Sequence, residues 1–142
     1  MCMYAPSVRR LAYLLCFDPQ RRLLLRPGRT PDGAQALTLP VGRCRERETY
    51  GQAVQRIVSG LRVRRGDVVA RVEGPAAPGR EWCEARIFTA HSFTSFADDG
   101  GRWFPWSDAV RHVDHLAIPE LAAFVEGYLG GWIPEGWITL QP

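Results

Sequence analysis

A chain of 142 residues, 46% hydrophobic, 11% aromatic and 23% charged, is sized and composed for one globular domain, residues 1–142, with a sizeable core. That composition excludes a fibre, a coiled coil and a disordered tail, and without a long apolar run no helical membrane span is expected. The net charge is +3, carried by 18 arginines that are scattered rather than striped, so no nucleic-acid partner is expected.

Lysine and asparagine are absent altogether, which points to a GC-rich genome of the kind actinomycetes carry. It does not point to phosphate clamping by every arginine. Cys2, Cys16, Cys44 and Cys83 form no C-x-x-C pair, so a structural zinc site is not expected. The N-terminal segment lacks the pattern of a secretory signal, so the expected setting is a reducing cytoplasm with four free thiols.

In chain order, residues 8–17 read as a buried strand, Asp18-Pro19-Gln20 as a turn, and Arg21–Arg26 as the returning strand of a hairpin. Pro27–Gln35 reads as a loop and Ala36–Leu39 as a short strand, stopped by Pro40 and turned at Gly42. Thr49 is placed to cap a helix over 49–59 whose inward face is Ala53, Val54, Ile57 and Val58, with Gly60 as its C-terminal stop. Asp67–Gly74 reads as a strand, Pro75–Gly79 as a tight connection, and Glu81–Phe93 as a longer strand. On that strand Trp82, Glu84, Arg86, Phe88 and Ala90 share one face, and His91 lies on the other with Cys83, Ala85, Ile87 and Thr89. After a turn at Asp98–Gly101 comes a strand to Trp106, a short helix capped by Ser107, and a last helix opened by Pro119. That helix turns Leu121, Phe124, Val125 and Leu129 inward, and the tail with Trp132 and Trp137 shows no regular period. Helices inserted into a mixed sheet, without strict strand–helix alternation, give an α+β class.

The segment Leu39-Pro40-Val41-Gly42-Arg43-Cys44-Arg45-Glu46-Arg47-Glu48-Thr49 resembles the opening of a Nudix box. In that motif a Gly, five residues and a Glu are followed by seven residues and Arg-Glu, then a Glu-Glu pair. Gly42, Glu48 and Arg56 match it, and Arg22–Arg26 and Trp103–Val110 are similar to the family's flanking strands and helix start. The resemblance, over roughly residues 8–130, implies an αβα sandwich around a mixed β-sheet. It also implies helix glutamates that hold Mg²⁺ or Mn²⁺ against a diphosphate and help activate water. Here the sequence departs from the family. Arg56 is followed by Ile57, Val58, Ser59, Gly60 and Leu61, and no carboxylate stands between Glu48 and Asp67. No metal or other cofactor is therefore expected at the helix, and Mg²⁺ enters only if the chain hydrolyses diphosphates.

The expected function is a metal-independent enzyme performing cyclisation, isomerisation or elimination on a small biosynthetic intermediate bound in the cleft. The candidate catalytic groups are His91, Glu84 and Glu48, with Arg56, Glu46, Arg86, Asp98 and Asp99 contacting the substrate. Tyr50 is a further partner for His91; His112 and His115, three apart, are second choices, and Cys44 between Arg43 and Arg45 is a candidate low-pKa thiol. Two other functions stay open: a Mg²⁺-dependent hydrolase of a nucleoside-diphosphate-linked substrate, and a non-catalytic ligand-binding or regulatory module. A homodimer is compatible with all three.

Overall fold

The computed structural model describes residues 9–30, 33–59, 61–75, 82–95, 100–116 and 118–140. Its centre is β1 (Arg9–Phe17), an apolar run buried on both sides. β1 lies parallel to β6 (Trp82–Ser92), with Arg10 opposite Glu84 and Ala12 opposite Arg86. β6 in turn pairs antiparallel with β5 (Val63–Pro75), and β5 runs parallel to β8 (Gly136–Leu140). On the other side of β1 come β2 (Arg22–Arg29) and β3 (Gln35–Thr38), giving the order β3-β2-β1-β6-β5-β8. β4 (Val41–Arg43) adds to β1, and β7 (Arg102–Pro105) adds to β2.

The β1–β2 hairpin closes on Asp18, whose buried carboxylate accepts from the backbone N–H groups of Gln20 (2.9 Å) and Arg22 (2.8 Å) and from Arg22 Nε (2.8 Å). Ser95 Oγ also donates to it at 3.0 Å, tying the end of β6 to this turn. Helix α1 (Tyr50–Val58) opens with a reciprocal capping box between Thr49 and Gln52. Its inward residues Ala53, Val54, Ile57 and Val58 pack on Ala12, Leu14, Cys16, Phe88 and Ala90. The opposite face of the sheet, with Leu15, Phe17, Ala85 and Ile87, is covered by α2 (Trp106–His112) and α3 (Leu121–Leu129). Three layers result, α1 on one side of the mixed sheet and α2 with α3 on the other.

Five expectations are corrected. β2 continues through Pro27 and Gly28 to Arg29 because β3 pairs with that stretch, Pro27 opposite Leu37, so the loop is shorter than Pro27–Gln35. Gly42 is not a turn residue: it sits in β4 opposite Ala12, and a Cβ there would stand 3.2 Å from Ile57 Cγ1. β5 begins at Val63, four residues early, because Val63–Arg65 pair with Ala90–Ser92 before the register shifts towards Val69. α2 starts at Trp106 after Pro105, and Ser107 makes no cap. The tail contains β8, whose Leu140 is buried. Gly60, residues 76–79 of the expected connection and Asp98–Asp99 lie outside the described residues.

Candidate functional site

The loop between β4 and α1 is shaped by backbone and charge together. Glu48 N–H donates to the Arg45 carbonyl at 2.9 Å, and Arg47 takes a left-handed conformation (φ 65°) to allow it. Arg56, in the last turn of α1, reaches back over this loop. Its Nε donates to Glu48 Oε2 at 2.8 Å, and its Nη2 donates to Glu48 Oε1 at 2.6 Å and to the Arg43 carbonyl at 2.9 Å. Arg45 N–H donates to Glu48 Oε1 at 3.0 Å. The Arg56 hydrogen bonds and then the Arg45 N–H hold the Glu48 carboxyl down at about 2. An open depression of about 750 Å³ runs along this loop and the outer face of α1, past Glu46, Glu48, Gln52, Gln55, Arg56 and Ser59.

The fold family implies a divalent cation here, and the residues present do not fit one. The outward positions of α1 and its C-cap are Gly51, Gln52, Gln55, Arg56 and Ser59, neutral or cationic. Ile57, directly after the arginine, points into the core and is 9% exposed. Glu48 is one carboxylate, and it is already engaged: Oε1 accepts from Arg56 and Arg45 and Oε2 from Arg56. Hard cations need several free oxygen ligands, and among the described residues no three His, Cys, Asp or Glu converge.

α1 covers only part of its side of the sheet. Beyond it, Arg10, Glu84 and Arg86 come from β1 and β6, Arg71 and Glu73 from β5, and Trp137 from β8. Tyr50, the first residue of α1, borders this patch and donates its hydroxyl to the Glu84 carbonyl at 3.3 Å. Burial, with the Glu84 carboxylate second, pushes the Tyr50 phenol well above its usual range. The Arg86 guanidinium lies over the Tyr50 ring at 4.2 Å and the Trp137 ring at 4.8 Å. Its Nη2 stands 3.9 Å from Glu84 Oε1. Arg10 lies 5.5 Å from the Tyr50 ring and donates to the Arg45 carbonyl at 3.0 Å, joining this patch to the box loop.

The sequence-derived candidates therefore divide. Glu48, Glu46 and Arg56 meet at the loop, with Glu48 and Arg56 bracing each other. Glu84 and Arg86 share the open patch with Tyr50. His91 is on the opposite face, beneath α3, where Nε2 lies 2.6 Å from Tyr128 Oη and the ring stacks on Phe17 at 5.8 Å. Burial, and then the charge of Arg64, lowers its pKa below the usual 6.5. His112 packs on Phe104 at 4.8 Å, and His115 belongs to a separate 3₁₀ turn, Asp114–Leu116, so the two do not share a helix. Cys44 is buried, and burial outweighs Arg10 and Arg56 to raise its thiol pKa, contrary to the activated thiol expected beside Arg43 and Arg45. Arg10, Arg71, Glu73 and Trp137 are patch residues that sequence reasoning missed, and for Trp137 a signal existed. Its signal was the alternation of Trp137 and Thr139 with Ile138 and Leu140, a short strand pattern.

No family model matches the sequence, and no curated protein matches it. Solved structures do. Ap4A hydrolase of C. elegans superposes with a TM-score of 0.69 at 15% identity, covering 89% of this chain and 100% of that one. A Nudix hydrolase from Nitrosomonas europaea gives 0.66 at 16% identity, over 91% of this chain and 93% of that one. The MutT protein from Methanosarcina mazei gives 0.61 at 17% identity, over 91% and 98%. At these identities the likeness is one of architecture, and that architecture is the Nudix fold.

Proposed function

We propose that the protein binds a small molecule in the cleft on the α1 side of its sheet, and that the cleft operates without a divalent cation. One observation carries the reading. The outward face of α1 and its C-cap presents amides, a hydroxyl and a guanidinium, and Glu48, the carboxylate retained from the box, already accepts three hydrogen bonds from Arg56 and Arg45. Beside this face, the patch of Arg86, Tyr50 and Trp137 offers a ligand a guanidinium and aromatic faces, with Glu84 as a carboxylate available for proton transfer. His91 is separated from that carboxylate by the sheet, so acid–base work in the cleft rests on Glu84 rather than on a His91–Glu84 pair. We take the setting to be cytoplasmic, in keeping with the buried thiols of Cys16 and Cys44.

Metal-dependent diphosphate hydrolysis is the rival, favoured by the activities named for the structural neighbours. Calorimetric titration with Mg²⁺ and Mn²⁺ separates the two, together with incubation of the protein with Ap4A, ADP-ribose or dihydroneopterin triphosphate in either metal. The expected outcome is no micromolar metal binding and no turnover. Metal-dependent turnover, or micromolar binding that disappears in Glu48→Gln, overturns the proposal.

A further inference from the structure

Across the β5–β6 pair, Arg71 stands directly opposite Arg86, and Glu73 directly opposite Glu84. All four share the face that α1 leaves open. Like charges directly opposite on neighbouring strands repel and destabilise the pair. Exchanging Arg71 with Glu73 would give two cross-strand ion pairs on the same backbone. Instead the charges are sorted, cations with cations, and the cationic pair lies on the side of Trp137, which reaches across from β8.

Only part of this repulsion is relieved within the chain. Arg71 pairs with its own-strand neighbour Glu73 at 3.1 Å, and both side chains are more than two-fifths exposed, 43% and 45%. Arg86 has less: Glu84 lies 3.9 Å from Nη2, beyond hydrogen-bond distance. Arg86 Nε is buried without an acceptor. That buried Nε is out of reach of an arriving molecule, so an acceptor meets the Nη groups of a side chain that is 26% exposed.

The guanidinium is held for such an acceptor. Tyr50 and Trp137 lie against it, which fixes its plane and leaves its edges for polar contacts. A guanidinium edge matches an oxyanion through two parallel N–H bonds. Trp137 is itself 59% exposed, so its ring also offers apolar surface to an arriving molecule.

From this we infer that the open part of the sheet is an oxyanion site in which Arg71 and Arg86 together bind a carboxylate or phosphate carried on a planar ring that packs on Trp137. The inference deepens the metal-free small-molecule reading and rests on it. The anion between the two guanidinia removes their repulsion, so it does at this site the neutralising work that no cation could do.

The test is calorimetry with phenyl phosphate, benzoate and inorganic phosphate, each in EDTA and in Mg²⁺, on the wild type and on Arg86→Gln, Arg71→Gln and Trp137→Leu. At least one ring-bearing anion should bind in EDTA more tightly than inorganic phosphate, and the phenyl phosphate and benzoate arms tell phosphate from carboxylate. Arg86→Gln and Arg71→Gln should each weaken binding by about 10–100-fold, the loss of a charge-assisted hydrogen bond. Trp137→Leu should abolish the preference for the ring, weakening the ring-bearing anions more than inorganic phosphate, because Tyr50 still lies against Arg86. Arg71 is exposed and its replacement removes a like-charge contact, so that variant keeps its fold, checked by circular dichroism. No binding of any probe in either condition, or undiminished binding in both arginine variants, overturns the anion site and leaves the metal-free reading standing. Binding seen only with Mg²⁺ overturns the metal-free reading and this inference with it.

Discussion

Two described side chains with shifted pKa values tie stability to acid, and they act in different windows. His91 is held neutral by burial beneath α3 and by the nearby Arg64, with its folded pKa below 6.5. The unfolded chain therefore takes up this proton first, so stability is complete above about pH 6.5 and falls as pH drops below it. Glu48 is held ionised by Arg56, down to about 2 against an ordinary 4.5. Its contribution is present above about pH 4.5 and is lost as pH falls towards 2. Thermal melts recorded from neutral to acid pH should show both losses. His91→Phe keeps a ring against Phe17 and should remove the decline that begins below 6.5. Glu48→Gln should lower stability at neutral pH, with the gap to wild type closing as pH approaches 2. Parallel curves for wild type and variants across the range would mean that neither group differs between the folded and unfolded chains. These two residues also mark what the sequence can and cannot say. The box-like spacing singled out Glu48 and Arg56 as site candidates, and their bracing of each other came from the loop's fold. The confinement of His91 was not readable, because Tyr128 comes from a helix far along the chain.

Among the described glycines, the tightest surroundings are at Gly66, in the irregular part of β5 beneath α3. A Cβ on Gly66 would run into Thr89 Oγ1 and lie 2.6 Å from Tyr128 Oη. Thr89 cannot simply turn away, because its hydroxyl donates to the Val68 carbonyl at 2.9 Å from a buried position. Overpacking of this kind costs about 1–3 kcal/mol, and a displaced Thr89 leaves a buried carbonyl without its donor, a further ~1–3 kcal/mol. Gly66→Ala should therefore be more destabilising than Thr49→Ala, which removes one half of an exposed capping box at about 1 kcal/mol. Urea denaturation of both variants checks the order, and equal midpoints would show that β5 yields at this point. The contrast explains which elements the sequence revealed. β1, α1 and α3 announce themselves through local period and caps. The extension of β2 past Pro27, the strand at Gly42 and the early start of β5 are imposed by partners elsewhere in the sheet, β3, β1 and β6. No local preference encodes those pairings.

At the scale of the whole molecule, β8 both ends the sheet and carries Trp137 onto the Arg86 patch, so the proposed anion site should be coupled to stability through one short strand. It pairs parallel to β5 from Val68–Gly136 to Val72–Leu140. Ile138 packs against the core beneath α2 and α3, and Leu140 is 3% exposed within it. Trp137 points the other way, onto Arg86. Alternation thus gives the strand one face for the core and one for the cleft. Leu140→Ala removes buried methyl groups and should cost about 2–5 kcal/mol, a large share of the ~5–15 kcal/mol that holds a typical domain together. Loosening β8 also frees Trp137 from its place over Arg86. The same variant should therefore bind ring-bearing anions more weakly, although Leu140 is on the far side of the strand from the cleft. Trp137→Leu makes the converse case: it should weaken ring binding while leaving the urea midpoint nearly unchanged, because the indole is largely exposed. Measuring both properties on both variants separates a strand that couples them from one that only closes an edge. A Leu140→Ala protein that melts early yet binds ring-bearing anions as tightly as wild type, below its own transition, would show that Trp137 is positioned without help from the core face of β8.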